Sequence, residues 1–368
     1  MTIRTLTVRE LNRTTLARQM LLERESMPVP DALERLAGMQ AQQAIGPYVG
    51  LWTRLQNFER DDLAKLIEAR KAVKATLMRA TLHLVTTADY LRFRGPLQAM
   101  LSDAHQGIAG RRGADTLDIP AVIEAGRKFF AEGPHTFAEL TAHLMAKFPG
   151  VEDGALRYTV RTYVPLVQVP NDYRWSYPGN AQFVLAEDWL KQPIPEASDL
   201  KLLIRRYLAA FGPASVTDMQ TWSGLKGLGP VVEAMRDELV VYKNESRVEL
   251  FDLPGMPAPH ADTPAPARYL PEFDNLLLSH AKRTRIFAEE HRKAIWAWGN
   301  LRVRPTILSD GFVAGTWAFT HKRGEALITV EPFAPLPKAD RAALEEEGER
   351  LVRFIEPNAK TWAVRFEG

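Results

Sequence analysis

The chain has no cysteine, which removes disulfides, thiolate nucleophiles and cysteine-based zinc sites together and fits a reducing compartment. No apolar run approaches the ~20 residues that span a bilayer. The opening MTIRTLTVRELNRTTLARQ interleaves polar and apolar residues without the apolar stretch of a signal peptide, so a cytoplasmic protein is expected. Neither sign of charge prevails: 47 basic and 45 acidic residues leave a net charge of +2, and any basic surface must come from local clustering. No GxxxxGK[ST], GxSxG or HExxH occurs, and the eight histidines lack metal-ligand spacing, so phosphate-loop, serine-hydrolase and zincin chemistry are set aside and no cofactor or metal is expected. GLKGLG, from Gly224, follows a helix ending in Trp222 and not a strand; it reads as a turn.

What is present is a globular composition, 46% hydrophobic and 25% charged over 368 residues, enough for two to four compact units. Helical patterns run from Val8 to Leu22 and from Pro30 to about Gln43, the second with Leu33, Leu36, Ala37 and Gln40 on one face. Gly46-Pro47 should end that helix and begin another, GPYVGLWTRLQ. A short helix around Asp61 to Glu68 precedes ATLMRATLHLVTT, which reads as a hairpin broken at Arg79-Ala80. Helix, helix, helix, hairpin is the order of a winged helix. The glycine-punctuated HQGIAGRRGADTLDI then reads as a mobile connector.

An internal repeat extends the pattern. EGPHTFAEL, from Glu132, lies 79 positions before FGPASVTDM, from Phe211, aligning Thr136 with Ser215 and Glu139 with Asp218. Both pairs have the spacing of a capping box, in which each side chain satisfies a free amide at a helix start. The same offset puts Leu156 on Met235 and Val160 on Leu239. The expected fold is α+β: three tandem winged-helix units at 1–105, 106–195 and 196–260, a linker with six prolines between Pro254 and Pro271, and a β-rich domain at 268–368 closed by a terminal helix. In that domain Asp310-Gly311 marks a turn, and Leu344, Leu351, Val352 and Ile355 stripe the helix.

GMQAQQAIGP, from Gly38, holds three glutamines before a Gly-Pro break. Gln40 and Gln42 point apart on a regular helix and meet only if it ends there, whereas Gln40 and Gln43 would share a face. A solvated helix end is the plain reading.

GMQAQQAIGPYVGLWTRL, RATLHLVT, RRYLAAFGPASVTDMQTWSGL and YLPEFDNLLLSHAKR together resemble the AlkZ/YcaQ-like family of winged-helix DNA glycosylases, in order and over essentially the whole chain. Gln40-Ala41-Gln42 matches that family's Gln-aliphatic-Gln motif, of the AlkZ-like branch, and not Gln-aliphatic-Asp. The resemblance implies excision of N7-alkylated purines, bulky adducts and crosslinks included, from double-stranded DNA by a monomer at the nucleoid. It also implies Gln40 and Gln42 as catalytic residues and a concave DNA-binding face. The chemistry is coherent with amides. An N7-alkylguanine is a cation whose glycosidic bond is already weak, so no strong general acid is needed, and two carboxamides can position water and face the oxocarbenium-like sugar. With no recognisable lysine nucleophile, a monofunctional enzyme is expected.

Candidate DNA contacts are Arg54, Arg79, Arg111, Arg112, Arg157, Arg161, Arg174 and the cluster Lys282, Arg283, Arg285. His83 reads as a satisfied structural histidine on a half-exposed strand and is kept among the contacts. Tyr173-Arg174-Trp175 falls where a wing tip would be, to press into a groove or to pack beneath the wing. Arg157 and Arg161 lie four apart on one helix face. Two other readings stand beside the enzyme: a non-catalytic winged-helix DNA-binding regulator, and a winged-helix scaffold that binds only protein.

Overall fold

The computed structural model describes residues 3–109, 117–297 and 302–367. The first helix, Val8–Arg18, opens on a Thr7/Glu10 capping box. The second, Val29–Arg35, stops well before Gln43. Ala37 and Gly38 take positive φ values of 52° and 83°, and the Gly38 amide donates back to the Leu33 carbonyl at 2.9 Å, a left-handed helix stop that glycine adopts cheaply. A Cβ on Gly38 would stand 2.5 Å from Val85 Cγ1. The chain therefore leaves as a short strand, Met39–Gln40. The expectation of helix through Gln40 is corrected: the glutamines lie on and just past extended chain, where residues two apart fall on the same side.

Helices Gly46–Trp52 and Arg60–Glu68 follow as read. The hairpin is Ala72–Thr76 against Leu82–Thr86, antiparallel, with Ala75 opposite His83 and Lys74 opposite Leu84. A 3-10 turn, Met78–Ala80, joins the strands, with Arg79 and Ala80 both left-handed at φ 54° and 56°. Met39–Gln40 pairs on the outer side of Leu82–Thr86, setting Gln40 opposite His83. Ala72–Thr76 in turn pairs with Leu166–Gln168, so the hairpin shares a five-stranded sheet with the strands that follow it in the chain.

After helix Gln98–Ala109, which runs into the segment expected as a connector, come Ile119–Ala131, Phe137–Lys147 and Asp153–Tyr163, then strands Leu166–Gln168 and Phe183–Leu185. The order recurs as Leu200–Phe211, Val216–Ser223 and Gly229–Glu233, then strands Val240–Asn244 and Glu249–Asp252. Both capping boxes are formed, Thr136 with Glu139 and Ser215 with Asp218. The aligned Leu156 and Met235 are both buried. The copies differ where Asp153–Tyr163 has only Gly229–Glu233 and the turn Arg236–Glu238 as counterpart.

The C-terminal sheet runs in the order Thr361–Phe366, Glu325–Pro332, Phe312–Lys322, Thr306–Ser309, Arg268–Leu270. Asp310 and Gly311, at φ 46° and 79°, make its two-residue hairpin turn. Helix Lys338–Ile355 buries Leu344, Leu351, Val352 and Ile355. One apolar cluster joins Leu33, Leu51 and Trp52 to Ile328 and Leu351; another joins Val73 and Leu77 to Leu208 and Trp222. Among the described residues, no helix is long and apolar enough to cross a membrane.

Candidate active site

The two motif glutamines are fixed by the same strand in different ways. Gln40 is buried, and its Oε1 accepts from Arg79 Nη2 at 2.7 Å. The guanidinium also donates through Nη1 to the Trp222 carbonyl and reaches His83 Nε2 at 3.5 Å. Gln42 is exposed, and its Oε1 accepts from the Leu82 amide at 3.0 Å. Since the Ala41 amide bonds the Leu82 carbonyl at 2.7 Å, the Gln42 side chain extends a ladder that its own backbone is leaving. Each carboxamide oxygen keeps a second lone pair, and each NH2 group faces away from its anchor.

Burial and the neighbouring Arg79 charge push the His83 imidazole down to about 3, so it is neutral at physiological pH. Its Nδ1 lies 3.0 Å from the Thr81 carbonyl, which requires the proton there and leaves Nε2 as acceptor toward Arg79. Burial lowers Arg79 to about 10, with Arg283 adding repulsion; it stays a cation. No carboxylate among the described residues pairs with it.

A cavity of about 390 Å³ lies beside Gln42 and Gln43, lined also by Lys74, Gln168, Tyr173 and Trp175. Lys74 and Gln168 are features the sequence reading missed. Lys74 is the one charged residue in the AVKAT strand, and that was the available signal. Burial lowers it to about 8, and its Nζ stands 5.1 Å from the centre of the Tyr177 ring. Gln168 Oε1 is buried without a hydrogen-bond partner. A second cavity, about 500 Å³, runs from Gln43 to Trp317 and Phe319. A third, of about 610 Å³ by Arg94, Arg127 and Tyr163, contains none of the predicted site residues. Among the described residues, no cluster of three His, Cys, Asp or Glu could hold a metal.

The predicted DNA contacts divide. Arg54 is a correction: it is fully buried and bonded to both Asp274 oxygens at 2.8 and 2.9 Å, a core ion pair with no path to phosphate. Arg285 is likewise buried, donating to the Pro213 carbonyl at 3.0 Å. His83 is buried instead of half exposed. Arg174 reaches across to Glu356 at 2.7 Å and to the Ile355 carbonyl, while Trp175 is buried 5.1 Å from the Tyr48 ring. The tryptophan thus packs beneath the wing, and of the two aromatics only Tyr173 is exposed. Arg157 and Arg161 share the helix Asp153–Tyr163, the first exposed with Asp153 at 3.9 Å and the second half-buried. Lys282 is exposed. Arg283 lies 5.0 Å from the Trp296 ring and near enough to Arg79 to repel its charge. Arg111 and Arg112 lie outside the described residues.

Residues 33–354 match the family model described as DNA glycosylase AlkZ-like. The chain belongs to the AlkZ-like DNA glycosylase family. AlkZ-like relatives include the interstrand DNA cross-link repair glycosylase of Streptomyces sahachiroi, 24% identical over 91% of this chain and 93% of that protein. The solved structure of the Streptomyces sahachiroi DNA glycosylase AlkZ superposes with a TM-score of 0.80 at 21% identity, covering 99% of this chain and all of the other. An AlkZ-like glycosylase hydrolyses an N-glycosyl bond. That reaction needs a held water and stabilisation of positive charge on the sugar.

Proposed function

We propose that the protein is a monofunctional, monomeric DNA glycosylase that releases N7-alkylated purines from duplex DNA, with Gln40 and Gln42 as the catalytic pair. The observation that carries this reading is the anchoring of both carboxamide oxygens to fixed donors of one hairpin, Arg79 Nη2 for Gln40 and the Leu82 amide for Gln42. An amide pair held this way presents lone pairs to a water without supplying a strong acid or base. General acid–base catalysis normally contributes roughly 10²- to 10⁴-fold; lacking it, such a site acts on a base that is already a good leaving group and spares normal nucleotides. A cationic N7-alkylpurine meets that condition. Three winged-helix units and a C-terminal β domain, divided as the sequence suggests, would wrap one duplex without a second subunit.

The relative's name speaks of interstrand cross-link repair. For this chain, crosslinked and bulky N7 adducts are proposed substrates because the cavity beside Gln42, about 390 Å³, opens to solvent alongside the exposed Tyr173. Arg157, Arg161, Lys282 and Arg283 are the proposed DNA-facing cations.

The test is release of N7-methylguanine from alkylated duplex by wild type and Gln42→Ala, with binding to the same duplex measured in parallel. Release lost in the variant while binding survives supports the reading. Tight binding by wild type with no release of either a methylated or a crosslinked guanine would make it a DNA-binding protein without chemistry. Borohydride trapping of an enzyme–DNA adduct would overturn the monofunctional assignment.

A further inference from the structure

Arg18 and Arg54 are held by carboxylates, Asp252 at 2.6 Å and Asp274 at 2.8 Å, whereas Arg94 donates to the Gln98 amide oxygen at 2.6 Å and to the Thr162 carbonyl at 3.1 Å. Arg79 is held by neutral groups only, the Gln40 amide oxygen, the Trp222 carbonyl and the His83 ring nitrogen. An ion pair with a carboxylate would cancel its charge; these partners leave the charge directed at Gln40.

We propose that Arg79 is a positioning residue for base excision, which locks the Gln40 carboxamide in one orientation and so fixes where its free lone pair and its N–H donors point. The proposal rests on the reading of Gln40 as catalytic and deepens it. A glutamine amide is nearly symmetric in shape, and its two-fold rotamers are close in energy when nothing distinguishes oxygen from nitrogen. Guanidinium can only donate. At 2.7 Å from Nη2, the oxygen must face Arg79, since the flipped amide would set two donors against each other. The charge also polarises the amide, which strengthens the N–H groups on its far side.

The guanidinium is itself immobile. Its Nη1 is tied to Trp222 across the third repeat, and the His83 ring is turned to accept by the bond of Nδ1–H to the Thr81 carbonyl. Its backbone is held too. Arg79 and Ala80 are consecutive non-glycine residues at left-handed φ, an unfavourable conformation for side-chain-bearing residues that persists where surrounding structure dictates it. Gly224 leaves the room: a Cβ there would come 3.2 Å from Arg79 Cα. The loop GLKGLG, of no use as a nucleotide loop, thus serves as the wall that seats this turn.

The competing role for Arg79 is a phosphate contact, and the two separate cleanly. Single-turnover release of N7-methylguanine and duplex affinity are measured for wild type, Gln40→Ala, Arg79→Ala, Arg79→Lys and the Gln40→Ala/Arg79→Ala double variant, each first checked for an unchanged unfolding transition. The expected result is a rate loss on the order of 100-fold for Arg79→Ala, affinity within about threefold of wild type, and a double variant no slower than Gln40→Ala alone. Arg79→Lys should recover part of the rate, as should guanidinium ion added to Arg79→Ala. An effect confined to affinity and its salt dependence would overturn the proposal in favour of a phosphate contact, and so would rate losses that multiply in the double variant. If Gln40→Ala releases base as wild type does, the reading of Gln40 has failed; the orientation claim is then decided by NMR of the Gln40 side-chain NH2. That signal should be sharp in wild type and averaged by flipping in Arg79→Ala, and an equally ordered amide in the variant would overturn the proposal regardless of excision.

Discussion

At the scale of single residues, the site depends on which side chains remain neutral. His83 sits between a carbonyl and a guanidinium, and only the Nδ1–H tautomer satisfies both. With its folded pKa pushed to about 3 against an ordinary 6.5, the unfolded chain binds a proton between those values and the folded protein does not. Its contribution to stability is therefore fully present above pH 6.5 and lost progressively as pH falls toward 3. Asp89, raised to about 6 by burial, acts in the opposite sense, gaining its proton in the folded state first, so the two must be separated by mutation. The expectation is that the His83 ring nitrogens keep the NMR shifts of a neutral imidazole down to about pH 4, and that His83→Gln flattens the acid limb of the unfolding free energy against pH. A ring that titrates near 6.5 would mean that His83 is neither buried nor beside Arg79 as placed. Burial of this kind was not legible in TLHLV, where alternation allowed either face to be wet; Arg79, which meets the ring, is itself held by the Trp222 carbonyl, more than a hundred residues away in sequence.

At the scale of elements, the capping boxes were readable because they are local: spacing alone specifies them, and both formed. Their surroundings are not local, and they differ. Glu139 is exposed and serves its own helix start, with His135 beside it at 3.8 Å, whereas Asp218 is buried, bonds Ser215 through one oxygen and the Ala281 amide at 2.9 Å through the other, and faces the charge of Arg285. Glu139→Ala should therefore lower the unfolding free energy only slightly. Asp218→Ala, which strands a buried cation and an amide, should cost about 3 kcal/mol or more, read from chemical denaturation; equal costs would show that tertiary setting adds nothing to the motif. The strand Met39–Gln40 was illegible for the converse reason. Its apolar spacing continues the helix before it, and only the left-handed stop at Ala37 and Gly38, wedged against Val85, turns the chain out. A glycine in GMQ was the one visible sign, and it is equally common as a mere interruption.

At the scale of the whole molecule, units that look separable in sequence share their interiors. The first hairpin continues into the sheet of Leu166–Gln168 and Phe183–Leu185, the strand Thr5–Leu6 runs parallel with Val240–Asn244, and Arg9 and Arg13 reach Asp310 in the C-terminal sheet. Such cross-ties consume cations that composition alone would assign to DNA. With a net charge of only +2, affinity for a duplex rests on the few that remain free, and each phosphate neutralised contributes about 0.9 to the slope of log K against log salt concentration. Lys282→Ala and Arg157→Ala should each lower that slope by roughly 1 without changing the fold, Arg157 because its Asp153 contact, at 3.9 Å, is long and exposed. Arg174→Ala, whose guanidinium is spent on Glu356 and the Ile355 carbonyl, should leave the slope nearly unchanged. Arg54→Ala should alter stability and not the slope, since its partner is Asp274 in the core. Salt titrations of duplex binding by the four variants decide the matter: if the Arg174 variant loses a full contact while those at Lys282 and Arg157 lose none, Lys282 and Arg157 do not face DNA as proposed.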